Sequence, residues 1–201
     1  LGRIWWFVRD ASAKAAQDNF DKLVKIGEGA ALMTGTTMDP PNVIASAWPS
    51  LGNRPLSEAL RKNMETVGLP KWSEEEVAFA KEFQKANNQR EVGLNTELPP
   101  SGPRPQGFAS NDIGDYTWNV PFGLMTFPGS VPGIGYHAWP AAVTPTSTMT
   151  HKGMVAAAKV MAATALDMLT SPELVQKAKE GLAQDTKETK YFSLLPDTAK
   201  P

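Results

Sequence analysis

Apolar residues recur with helical spacing between residues 12 and 35. Ala16, Phe20, Leu23, Val24, Ala30 and Ala31 share one face, Ser12 stands where a helix cap belongs, and Gly35 stands where a helix stops. The flanking segments read differently. Residues 4–8, IWWFV, are aromatic and β-branched, which favours a strand. Residues 36–48, TTMDPPNVIASAW, read as extended, with Pro40 and Pro41 marking an edge or a bulge. The pattern predicts strand–helix–strand over 1–48, the closing half of a small α/β unit. A turn-rich hinge follows at PSLGNRP. Two helices come next. LSEALRKNMETVG ends on Gly68, a residue suited to the turn after a helix. SEEEVAFAKEFQKANN opens with Ser73 and Glu76, the spacing at which a hydroxyl and a carboxylate each cap a free amide.

Periodicity fades over 91–118, a stretch with four prolines and four glycines. A loop of that length in a compact domain is usually functional or disordered, and the Trp, Tyr and two Asp residues near its end favour function. NVPFGLMTFP predicts a short strand. The loop VPGIGYHAWPAAV and a turn at TPTSTMT lead to an Ala-rich helix from about 150, and SPEL starts a last helix with Ser171 as cap and Pro172 in its first position. The tail from 184 is polar and is expected to fray.

Composition narrows the function classes. The 201 residues are 41% hydrophobic, enough for a core, and carry a net charge of −1. Lys and Arg form no stripe, so nucleic acid and anionic membrane are poor partners. The absence of cysteine excludes disulfides and thiolate metal sites and leaves the compartment open. The long apolar run 153–170 contains Lys159 and Asp167, so it is expected to be a buried core helix rather than a membrane span. The chain starts at Leu1 without Met, and a piece of a longer protein is the expectation.

The chain has two histidines. His137 lies among Gly, Pro and aromatic residues, where it is either a loop histidine bonding a carbonyl or a metal ligand or general base. Gly133 and Gly135 permit close backbone approach, and Trp139 and Pro140 could shield the ring. His151 either caps the Ala-rich helix or sits where the amides of Lys152 and Gly153 take an anionic group. Asp112 and Asp115, three apart in SNDIGDYTW, form an Asx-type turn or orient a histidine. GIG and GEG lack the strand–GxGxxG–helix context of a dinucleotide site.

The set ASNDIGDYTWNVP, PGIGYHAWP and THKGMVAAAKVMAATALDMLTSPEL resembles the C-terminal part of bacterial aminobenzoyl-glutamate hydrolases of the B-subunit type, in the two-metal aminoacylase and carboxypeptidase superfamily. KLVKIGEGAALMTGTTMD and LGNRPLSEALRKNMETVGLPKWSEEEVAFAKE resemble the preceding part. The resemblance implies an α/β catalytic domain interrupted by a ferredoxin-like lid that makes a homodimer contact. Residues 1–48 would end the lid, 49–54 would be the hinge, and 55–201 would be the C-terminal part of the catalytic domain. It implies a soluble bacterial metallo-amidohydrolase that cleaves an N-acyl amino acid or dipeptide of aminobenzoyl type; the compartment stays open, with the cytoplasm ahead of the periplasm. Two divalent ions, zinc or manganese, would be held by His and carboxylate ligands. The general base and most ligands would lie in the N-terminal half, so no catalytic residue is assigned here and the fragment alone is expected to be inactive. His137 would be the final metal ligand. Asp112, Asp115, Trp139 and His151 would support the metals or bind substrate. The competing reading is a metal-free interaction module that keeps the fold.

Overall fold

The structure, a computed structural model, describes residues 2–102 and 111–195. The middle of the long Pro/Gly-rich loop and the end of the tail lie outside them. Seven α-helices are present among the described residues: α1 Ala13–Thr34, α2 Arg54–Val67, α3 Glu74–Ala86, α4 Gly114–Thr117, α5 Trp139–Val143, α6 Thr148–Thr170 and α7 Pro172–Asp185. A 3-10 turn, Thr144–Thr146, joins α5 to α6.

The α/β expectation is overturned, because no described residue lies in a strand. The ferredoxin-like lid falls with it. Residues 2–10 and 36–52 are free of helix, as their composition demands, but they have no ladder partner among the described residues. A strand is a paired object, and β-favouring side chains cannot make one without a neighbouring backbone to bond. Ile4, Trp5, Trp6 and Phe7 are accordingly exposed, each by 60% or more. The strand expected at NVPFGLMTFP is likewise irregular chain, from 121 to 127 without regular structure.

The described residues fall into two compact units. The first draws on Leu1–Gly52, Arg104–Phe122 and Leu182–Pro201. α1 is capped as expected. The Ser12 hydroxyl accepts from the Ala15 amide, and Gly35, at φ 63°, closes the end. Only Ala13 of this helix is buried. The core of the unit is Trp48, 3% exposed, whose ring lies 4.6 Å from that of Trp118 and 5.0 Å from that of Phe192. Both indoles find acceptors: Trp48 Nε1 donates to the Phe192 carbonyl at 2.7 Å, and Trp118 Nε1 to that of Pro49 at 2.8 Å. Buried Trp is stable only when its N–H is satisfied in this way.

The second unit comprises Asn53–Pro103 and Gly123–Gly181. α2 and α6 pack through Leu60, Met64 and Val160, with Leu98, Met125 and Phe127 around them. Asn63 Nδ2 fixes their register, donating to Thr164 Oγ1 at 3.0 Å and Asp167 Oδ2 at 2.7 Å. A second cluster joins α3 to the loops: Ala80, Leu94, Val131 and Met149, flanked by Trp72, Val77, Phe83 and Ile134. Asn53 caps α2 at the Leu56 amide and donates to the Ala178 carbonyl of α7 at 2.8 Å. α6 meets the length and composition of a membrane-crossing helix. The expectation of a buried helix holds along one stripe only. Met149, Gly153, Ala156, Val160 and Thr164 are buried, whereas Met154, Val155, Met161, Leu166 and Leu169 are exposed.

The capping box is present and does more than cap. Glu76 accepts from the Ser73 amide at 2.8 Å, Thr148 Oγ1 at 2.7 Å and Lys152 Nζ at 2.7 Å, joining the start of α3 to the start of α6. Burial pushes the Glu76 carboxyl up, but these bonds and the Lys152 charge outweigh it, so its pKa is lowered from 4.5. A lowered folded pKa means a contribution present above 4.5 and lost as pH falls through the folded value. The Glu76→Gln variant is therefore expected to lose stability at neutral pH and to show a flatter decline on acidification, measured by urea unfolding at stepped pH. An unchanged acid limb would contradict this.

Candidate functional site

The loop carrying His137 begins at Val131, 2% exposed in the second cluster. Gly133 turns it with φ 83°, a conformation that costs little only for glycine. Its anchor is Gln84 on α3, which is fully buried. Gln84 Nε2 donates to the carbonyls of Gly93 at 3.1 Å and Pro132 at 3.0 Å, while Gln84 Oε1 accepts from the Gly93 amide at 2.8 Å. One side chain thus binds two loops to α3. The buried stripe of α3 is Glu76, Ala80 and Gln84, two of them polar, so apolar periodicity does not reveal it. Its signal is the i, i+4, i+8 spacing alone. Gln84→Leu keeps the volume and leaves three backbone groups unpaired. We expect it to cost about 2 kcal/mol in urea unfolding, at roughly 1–3 kcal/mol per orphaned group with partial relief by water.

Beyond this anchor the loop turns outward. His137 is exposed in a turn, and Trp139, the first residue of α5, is 70% exposed. Tyr136 is 80% exposed, while Pro140 is buried. The expected shielding of the imidazole by Trp139 and Pro140 is absent. Trp139 instead meets Phe83 edge to face at 6.5 Å, and Phe83 stacks on Phe79 at 5.6 Å.

His151 is an exposed residue of the first turn of α6. That helix starts at Thr148 and is capped by the Ser147 hydroxyl, and the His151 amide already bonds the Ser147 carbonyl at 3.2 Å. The amides of Lys152 and Gly153 are inside the helix ladder, so they are not free for an anion. His151 does border an open groove of about 530 Å³ with Leu69, Pro70, Lys71, Val155 and Lys159.

The two aspartates belong to the other unit. Asp115 Oδ1 accepts from the Trp48 amide at 3.0 Å, and its charge together with burial raises the pKa of Tyr191, burial being the larger cause. The Asn111 side chain accepts from the Ile113 amide at 3.2 Å, an Asx turn. Asp112 is exposed. Among the described residues no three His, Asp or Glu gather at one place.

Comparison with known proteins bears on what this loop is part of. No protein-family model matches the chain, and no solved structure matches it. A curated protein does. The chain is similar to the B-type subunit of p-aminobenzoyl-glutamate hydrolase from Escherichia coli, at 29% identity over 98% of its own length. The resemblance read from the motifs is borne out. The chain spans 46% of that relative's length, less than half.

Proposed function

We propose that the chain is the part of an amidohydrolase that presents His137 to a metal centre, and that the whole protein cleaves the amide bond of an N-acyl amino acid of aminobenzoyl type. The similarity to a p-aminobenzoyl-glutamate hydrolase polypeptide along nearly the whole chain carries this reading. The relative's name makes it one subunit of a hydrolase, and a companion subunit is part of the proposal.

The donor set fits one ligand position and no more. His137 is an accessible imidazole on a loop whose root is pinned by Gln84, as a ligand that must meet an ion at fixed geometry requires. The remaining ligands and the general base would come from the more than half of the relative's length that this chain does not span. His137 would hold one ion of such a centre, which when bound would supply Lewis-acid polarisation of the scissile carbonyl and of water. The part of this chain would be to hold the imidazole in place and open to its partners.

The test is metal analysis and hydrolysis of p-aminobenzoyl-glutamate by the full-length polypeptide, before and after chelation. Metal-dependent release of p-aminobenzoate is expected. Full activity in chelator-stripped protein, or none in metal-loaded protein, would overturn the reading.

A further inference from the structure

We propose that Phe79, Phe83 and Trp139 form a binding face for a planar aryl group, the acyl side of the substrate. The inference rests on the amidohydrolase reading and goes beyond it by assigning specificity to named side chains.

Three observations support it. The rings form a connected ladder. Phe79 and Phe83 stack at 5.6 Å with 20° between their planes, and Trp139 meets Phe83 at 6.5 Å and 78°. The ladder is also rooted, since Phe83 packs against the cluster of Ala80, Leu94, Val131 and Met149 while Phe79 and Trp139 are 42% and 70% exposed. A rigid foot with open outer rings is the arrangement that accepts another ring, because the negative face and positive edge of each aromatic leave a defined approach for a further stacked or edge-on partner. Finally, Trp139 is two residues from His137, on the same turn into α5. A substrate whose scissile amide lay at His137 would thus have one ring of the ladder, Trp139, two residues along the chain.

No charged side chain belongs to the ladder, so it selects for ring shape and not for the amino-acid carboxylate. An alkyl acyl group would gain apolar contact but no quadrupole match.

The experiment compares two substrates of the full-length protein, p-aminobenzoyl-glutamate and N-acetyl-glutamate, in wild type, Trp139→Ala, Phe79→Ala and Trp139→Phe. In Trp139→Ala the ratio of aryl to alkyl kcat/KM is expected to fall about tenfold, chiefly through KM, with Phe79→Ala smaller and Trp139→Phe recovering most of the loss. Proportional loss on both substrates, or an unchanged ratio, overturns the assignment. Equilibrium titration with p-aminobenzoate separates this inference from the reading beneath it. If neither substrate is cleaved, the amidohydrolase reading fails. The ladder then stands if p-aminobenzoate binds wild type and not Trp139→Ala, and falls if it binds both alike or neither.

Discussion

His137→Ala in the full-length polypeptide is expected to lower turnover by about a hundredfold or more, to reduce the metal content, and to leave the folded state intact. Even loss of a group that only orients a metal ligand typically costs about 10–100-fold, and loss of the ligand itself should cost no less. Stability should be spared because the imidazole is exposed and the loop is held from below by Gln84, not by the histidine. His137→Gln separates the imidazole's donor nitrogen from mere polarity. It keeps a polar side chain of similar reach and should fail nearly as badly. Unchanged metal content with unchanged rate would remove His137 from the centre. A variant that lost activity only because it unfolded would show in its urea midpoint.

Gly114→Ala is expected to be the most destabilising single methyl group in the first unit, by about 3 kcal/mol or more, because overpacking against backbone has no flexible end to yield. A Cβ on Gly114 would land on the Trp48 carbonyl oxygen. The surrounding bonds hold the two segments at that distance. Asp115 takes the Trp48 amide at 3.0 Å, and Thr117 Oγ1 accepts from the Leu51 amide at 2.9 Å while donating to the Gly114 carbonyl at 2.7 Å. Urea unfolding followed by tryptophan fluorescence reads this directly, since Trp48 and Trp118 sit in the same packing. Asp112→Asn, at an exposed position of the same turn, should change the midpoint little. Equal midpoints for Gly114→Ala and wild type would contradict the close approach.

This clasp also bears on NDIGDYTW. The motif is dense in groups capable of chemistry, and the resemblance placed it near metals. In the structure Asp115 and Thr117 hold backbone, and Trp118 packs on Trp48. A carboxylate accepting an amide looks the same in sequence as one that orients a ligand, because both need only a short acidic side chain in a turn.

Helix existence and helix ends were legible along the chain because their causes are local. Ser12, Ser73 and Ser171 bond amides three residues on, and Gly35 and Gly68 take the positive φ that ends a helix. The resemblance was legible too, since it rests on residue order alone. What the sequence could not determine is whatever needs a second segment. IWWFV has the composition of a strand, but pairing requires a neighbour that the described residues do not supply. α6 is apolar on nearly all sides, and only packing against α2 decided which stripe is buried. Gln84 reads as an ordinary helix-surface residue until Gly93 and Pro132 are brought to it across the fold. Trp139 sits in a motif that reads as a shielding wall, yet in the tertiary structure its ring is exposed and meets Phe83, a residue of α3 that the loop's own sequence does not bring to it. Local bonding is written residue by residue, whereas burial and partnership depend on which distant groups arrive, and that is settled only when the chain has folded.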